Sequence, residues 1–381
     1  MIQPGGVATK VASEIRRVRL NWMSRAMAVV AALAMHCGLA AQTDPAQSPL
    51  SKPLYKVAPT ATFALKDEKR SKTLEMTVVW PQAPLEANAK SPAQFPLVVF
   101  SHGLGGSDEA FPFLADYLAA RGYVVIRPTH ADSAKYMKTP GEFIRDPRAS
   151  AKKLDLRDRL QDLVFILDSL AAIEKEPLGG GGVGENILID RARIAAAGHS
   201  AGALTTMLAT GTQARALDKT VASYAAGIKS IAESRFKAGV VISGAGLKNK
   251  MLSEDSWNKV SVPLIFFDGS LDTSKASDET PESRKDGFKY SRGTVGGGPP
   301  AWLVFIQGAT HSSYGGKTKA LALDAGAMEP TDPQLVSAIT NETTFEFLEA
   351  SLKDSQSAKD WLANPKNIQT LGQGKATIQT K

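Results

Sequence analysis

The sequence predicts an α/β fold with a mostly parallel central sheet and helices on both faces. Three observations carry this. Apolar runs of strand length recur at residues 95–100, 123–126, 238–243, 263–267 and 302–306 without polar alternation, as strands buried on both faces require. Segments with helical spacing lie between them, notably 110–121, which stops at Gly122, and 154–176, with an apolar stripe at Leu156, Leu160, Leu163, Val164, Leu167 and Leu170–Ala171. Strands alternating with helices specify a parallel sheet, and neither a composition break nor a repeat suggests a second domain.

Taken in order, residues 42–56 are rich in Pro, Gln and Ser and read as part of a flexible lead-in extending to residue 69. A strand at 74–80 ends at Pro81. The strand at 95–100 opens into the glycine-rich loop Ser101-His102-Gly103-Leu104-Gly105-Gly106-Ser107. A long polar connection covers 131–153. The glycine loop at 179–184 follows a helix rather than a strand, so it reads as a connector and not a phosphate cradle. Residues 193–197 form a short apolar strand before the elbow discussed below. Residues 212–235 read as a helical insertion, 273–299 as polar and glycine-rich, 333–352 as the final helix, and 365–381 as a disordered tail. The domain is therefore expected over 70–364.

The chain has 381 residues and a formal charge of +7. Residues 1–41 supply Lys10, Arg16, Arg17, Arg19 and Arg25 against Glu14, a net of +4, which leaves only +3 for the rest. No Lys/Arg block or basic-aromatic interleaving occurs there, so nucleic acid is not expected as a partner. Arg25 precedes the apolar run 26–35, too short to span a bilayer, and Gly38-Leu39-Ala40 places small residues before a cleavage point. Residues 1–41 thus read as a secretory signal peptide, with Met23 an alternative start, and the protein as secreted or periplasmic without a stable membrane span. Bulky His36 before Cys37 argues against a lipoprotein. Cys37 is the only cysteine, so the mature chain has no disulfide and no thiol nucleophile.

The chemistry centres on Gly198-His199-Ser200-Ala201-Gly202. A strand-length run precedes it, and a helix-forming run, Ala203 to Ala209, follows, which is the context of a nucleophile elbow. A serine hydroxyl needs a base to take its proton, and the base needs an acid to hold its tautomer. His36 lies in the signal, while His102, His130 and His199 precede or adjoin Ser200. Only His311 follows it, in a loop just beyond a strand, so His311 is the expected base under the chain order Ser, acid, His. Asp268 and Asp272 both stand near the right strand end. Asp272 is favoured because it sits past Gly269, where the chain is expected to turn toward the site, and Asp268 reads as a turn cap. The expected oxyanion donors are the backbone N–H groups of Ala201 and Leu104. Phe111, Tyr136, Met137 and Phe143 are pocket or core residues alike on this reading. No cofactor or metal is expected, because the remaining histidines lack ligand spacing.

Several of these segments carry a family resemblance. The run from Phe95 through Ser101-His102-Gly103-Leu104-Gly105-Gly106, the helix ending at Gly122-Tyr123-Val124-Val125, the elbow and the Gly308–His311 turn resemble the platelet-activating-factor acetylhydrolase and predicted dienelactone-hydrolase-like branch of the α/β hydrolases. The resemblance implies an α/β-hydrolase fold over about residues 70–352 and a serine esterase using Ser200, His311, Asp272 and the two N–H groups on a small-molecule or lipid-like ester. An acyltransferase or amidase on the same residues is the alternative within enzymes, and a non-catalytic binding protein of the same fold the alternative outside them.

Overall fold

The structure, a computed structural model, describes residues 50–86, 94–137, 154–176, 188–214, 232–274, 276–316 and 329–381. The signal peptide at 1–41, the loop at 179–184, most of the connection at 131–153 including Phe143, and most of the insertion at 212–235 lie outside those residues.

Within Pro49–Lys381 the strands are β1 (Tyr55–Val57), β2 (Ala61–Asp67), β3 (Lys72–Val79), β4 (Pro81–Pro84), β5 (Phe95–Ser101), β6 (Val124–Pro128), β7 (Ile189–His199), β8 (Phe236–Ile242), β9 (Leu264–Leu271), β10 (Ala301–Thr310) and β11 (Ala376–Thr380). β1 and β4 form a small antiparallel pair, and the rest form a nine-stranded sheet in the order β11-β10-β9-β8-β7-β5-β6-β3-β2. From β6 to β10 all neighbours run parallel, and β2, β3 and β11 are antiparallel at the two edges. The central strands are apolar throughout because both of their faces are covered.

The main helices are α1 (Pro112–Ala119), α2 (Leu156–Asp168), α3 (Ala201–Ala209), α4 (Pro333–Leu352), α5 (Gln356–Ala363) and α6 (Pro365–Leu371). One core joins the sheet to α2 and α3 through Leu160, Leu163, Leu204, Met207 and Trp257. The other joins it to α1 and α4–α6 through Leu114, Leu118, Val336, Phe347 and Leu362. α2 starts where the Asp155 carboxylate caps the N–H groups of Arg157 and Asp158. After β5 the chain adds β6 on one side and then returns to place β7 on the other. The junction of β5 and β7 is therefore a topological switch point, and the crevice beyond the strands' carboxyl ends there is where such sheets place their sites.

Two boundaries differ from the sequence expectation. The expected lead-in to residue 69 contains β1 and the whole of β2, and Ser51 is tied down by Arg121 and Glu342. The expected disordered tail is α6 and β11, with β11 paired along β10 from Trp302↔Thr380 to Ile306↔Ala376. Both strands are half-exposed and alternate: Phe63 and Leu65 in β2 and Ala376 and Ile378 in β11 face the protein while their neighbours face water. Such strands lack the continuous apolar run that marks a central one. The glycine-rich stretch 273–299 also holds two short helices, Pro281–Arg284 and Asp286–Tyr290.

Candidate active site

The parallel strands deliver one side chain each to the same edge of the sheet. β5 ends in Ser101 and the glycine-rich loop, β7 in His199 and Ser200, β8 leads to Ser243, β9 to Asp272 and β10 to His311. Ser200 has φ 57° and ψ −116°, a strained conformation for a residue with a Cβ, and caps α3 without using its side chain. The glycines around it allow the approach. A Cβ on Gly202 would lie 1.8 Å from the Ser101 carbonyl oxygen, and one on Gly198 2.3 Å from the Gly202 carbonyl oxygen. The turn thus lifts the Ser200 hydroxyl away from α3 and toward His311.

His311 Nε2 is 2.9 Å from Ser200 Oγ, and His311 Nδ1 is 2.9 Å from Asp272 Oδ1. The carboxylate fixes the tautomer: Nδ1–H donates to Asp272, and Nε2 is left to accept the Ser200 hydroxyl proton. Ser200 and His311 are partly exposed, whereas Asp272 is fully buried. Burial alone raises a carboxyl pKa, but the Arg284 guanidinium, 3.0 Å away, and hydrogen bonds from His311 and Ser243 hold Asp272 below its ordinary value. Asp272 stays charged beside the imidazole.

A family model described as the alpha/beta hydrolase family matches residues 98–363, from β5 to the last residue of α5. The chain belongs to the alpha/beta hydrolase family. It is similar in fold to a ferulic acid esterase from Streptomyces cinnamoneus, with 17% identity over 81% of this chain and 93% of that one and a TM-score of 0.50. A putative dienelactone hydrolase from Klebsiella pneumoniae subsp. pneumoniae MGH 78578 gives 16% identity over 79% and 100% and a TM-score of 0.49. A search of curated proteins gave no match.

Of the two acids weighed for this hydrolase-family site, Asp272 meets His311 and Asp268 does not. Asp268 is no turn cap either. β9 runs on through it to Leu271, so its carboxyl is enclosed by the sheet with neither oxygen hydrogen-bonded. Burial, then the neighbouring charge of Asp272, pushes its pKa well up, so it is held neutral. Gly269 marks no turn. It is glycine because a Cβ there would lie 2.3 Å from the Ala309 carbonyl oxygen of β10.

The oxyanion candidates are close to the same point. Ala201 is the first residue of α3, so its N–H has no acceptor within the helix. Gly103, next to Leu104, lies against the nucleophile: a Cβ built on it would be 3.4 Å from Ser200 Cβ. Phe111, also at positive φ (54°), packs on His199 with the rings tilted by 41° and their centroids 5.2 Å apart. Tyr136 is half-exposed.

Three participants escape sequence reasoning. Ser243, at φ 54°, places Oγ 2.9 Å from Asp272 Oδ1 and 2.7 Å from His311 Nδ1. Arg284 also donates to the Ser243 and Gly244 carbonyls, joining the loops after β8 and β9. His199 donates Nε2–H to the His311 carbonyl at 2.8 Å. Burial and the adjacent His311 push the His199 pKa down to about 3, so its ring is neutral. Only the position of Ser243 just past an apolar strand could have singled one of them out.

A second Ser–His–Asp relay lies behind this one. Ser101 Oγ is 2.8 Å from His130 Nε2, and His130 Nδ1 is 2.8 Å from Asp162 Oδ2. All three side chains are fully buried, and Ser101 lies in β5 with no positive φ. Burial is also the main reason that His102 and His130 have strongly lowered pKa values. Exposure and backbone strain, not the hydrogen-bond pattern, separate the two relays. Among the described residues no His/Cys/Asp/Glu group is arranged to hold a metal, and no helix is long and apolar enough to cross a membrane.

Proposed function

We propose that the protein is an exported serine hydrolase of carboxylic esters that works through an acyl-enzyme. The observation that carries the proposal is the 2.9 Å contact between Ser200 Oγ and His311 Nε2, backed by the 2.9 Å contact to Asp272 on the ring's other nitrogen. In this reading His311 takes the Ser200 proton as Oγ attacks the ester carbonyl, and Asp272 stabilises the imidazolium without being protonated. The N–H groups of Leu104 and Ala201 receive the developing oxyanion. His311 returns the proton to the leaving alcohol, and a water then repeats the sequence on the acyl-enzyme. The basic, apolar and small-residue pattern of residues 1–41 supports export. A small or lipid-like ester fits a partly exposed Ser200 at the mouth of the crevice.

The test is hydrolysis of p-nitrophenyl acetate and butyrate, with the matching p-nitroanilides and a competing alcohol as controls. Wild type should cleave the esters and label with a fluorophosphonate at Ser200. Ser200→Ala should keep the fold and lose kcat by about 10⁴-fold or more. Ester cleavage undiminished in Ser200→Ala would overturn the nucleophile, and faster anilide cleavage or net acyl transfer would move the reaction class.

A further inference from the structure

We infer that Arg159 is a positioning residue for the oxyanion loop, holding the Leu104 N–H aimed at the reacting carbonyl; the inference rests on the esterase reading above. Arg159 projects from α2 and is 1% exposed. Its guanidinium is itself fixed, with Nε 2.8 Å from Asp132 Oδ1 and Nη2 2.7 Å from Asp132 Oδ2, a bidentate pair. The donors that remain face the loop after β5. Nη1 donates to the His102 carbonyl at 2.7 Å, and Nη2 reaches the Gly103 carbonyl at 3.4 Å. The Gly103 oxygen also accepts from Gly106 N–H at 3.0 Å and from His102 Nδ1–H at 2.6 Å.

A trans peptide is planar, with its C=O and N–H pointing in opposite directions. Turning the His102 and Gly103 carbonyls toward Arg159 therefore turns the N–H groups of Gly103 and Leu104 away from it. Ser200 stands against Gly103: a Cβ built there would lie 3.4 Å from Ser200 Cβ. The guanidinium thus holds the loop by its carbonyls and leaves its N–H groups, next to Ser200, directed away from it.

The remaining groups of the network keep that arrangement rigid. His102 Nε2 accepts from the His130 backbone N–H at 2.9 Å, which fixes His102 as the Nδ1–H tautomer that donates to Gly103. Ser101 Oγ gives its proton to His130 and accepts from Arg159 Nη1 at 3.3 Å. Asp162 completes the chain against Arg70 and Lys72. The buried Ser101–His130–Asp162 relay is, on this account, scaffolding for the loop. Preorganised donors of this kind act on the transition state and not on the ground state, so the signature of Arg159 is in kcat.

The experiment uses Arg159→Lys, which keeps a cation for Asp132 but cannot fork to Asp132 and both carbonyls. Active sites are counted by exhaustive fluorophosphonate labelling, and kcat is expressed per labelled site. We expect kcat to fall about 10²-fold with KM within threefold, and affinity for a trifluoromethyl ketone, which binds as a tetrahedral adduct, to fall in parallel with kcat. A merely structural Arg159 would lower the melting temperature and the labelled fraction but leave both per-site quantities unchanged. If Arg159→Lys does not fold, Asp132→Asn loosens the same guanidinium, and roughly tenfold parallel losses are expected. Per-site kcat within threefold of wild type, or a kcat loss with unchanged ketone affinity, overturns the inference. Absence of labelling and ester cleavage in the wild type would instead overturn the esterase reading itself.

Discussion

The Ser243 hydroxyl donates to Oδ1 of Asp272 at 2.9 Å, on the same oxygen that receives His311 Nδ1–H. Two donors converge on one carboxylate oxygen, with the Arg284 guanidinium 3.0 Å from it and donating Nε–H to the Asp272 backbone carbonyl, and Oδ2 is left without a hydrogen bond of good geometry. The carboxylate therefore has one favoured presentation to the imidazole. Losing a hydrogen bond to a charged, buried acceptor costs roughly 1.5–3 kcal/mol. Ser243→Ala should lower kcat/KM for a p-nitrophenyl ester by about tenfold or more while leaving fluorophosphonate labelling complete at long times. Because Ser243 has φ 54°, Ser243→Gly serves as the control free of backbone strain. Equal losses in the two variants would assign the effect to the hydroxyl, and wild-type rates in both would remove Ser243 from the relay.

The second prediction concerns the edge strand. β11 pairs with β10 over five residues, and Lys381 closes the ladder with backbone bonds to Ala301 at 2.9 and 3.2 Å. Its apolar face adds Ala376 and Ile378 to the core beside α6. Deleting residues 375–381 unpairs β10, and an open apolar edge invites association. A loss of about 2 kcal/mol would lower the melting temperature by roughly 3 °C, with light scattering rising on heating. An unchanged transition would return this segment to the status of a tail.

How much of this was legible beforehand follows from the kind of signal each part leaves. The central strands announce themselves because burial on two faces demands continuous apolar residues, and Ser200, His311 and Asp272 follow from their order along those strands. The edges are hard to read because β2 and β11 are wet on one face and carry only a weak alternation. Asp268 and Gly269 mislead for a related reason: polar and glycine residues suggest a turn, yet here they continue β9 beside β10. Arg284 and Arg159 leave no local trace, and Ser243 leaves only its place at the end of an apolar strand. Each acts through partners from 12 to 68 residues away in the chain, and only the three-dimensional crossing brings them together.

The last prediction is a pH dependence of stability far from the active site. On α4, Glu342 is buried where it accepts from Ser51 and the Tyr117 hydroxyl, and Glu346 and Glu349 follow one and two turns later. Burial, with the neighbouring charges of Glu342 and Glu349, pushes the Glu346 pKa up to about 7. Arg121 lies against Tyr117 and 5.9 Å from the Phe345 ring, and Lys353 pairs with Glu349. The folded state therefore holds a proton that the unfolded chain, with an ordinary glutamate pKa near 4.3, releases. Between about pH 4.5 and 7 the native state binds more protons, so stability falls as pH rises through that window and is fully restored below it. Glu346→Gln keeps the shape and removes the charge. It should raise the melting temperature at pH 8, where wild type carries the repelled carboxylate, and the advantage should vanish by about pH 4.5. Thermal unfolding of both proteins across this range is the measurement. A difference that stays constant with pH would mean that Glu346 titrates normally, and the repulsion on α4 would then be relieved by solvent.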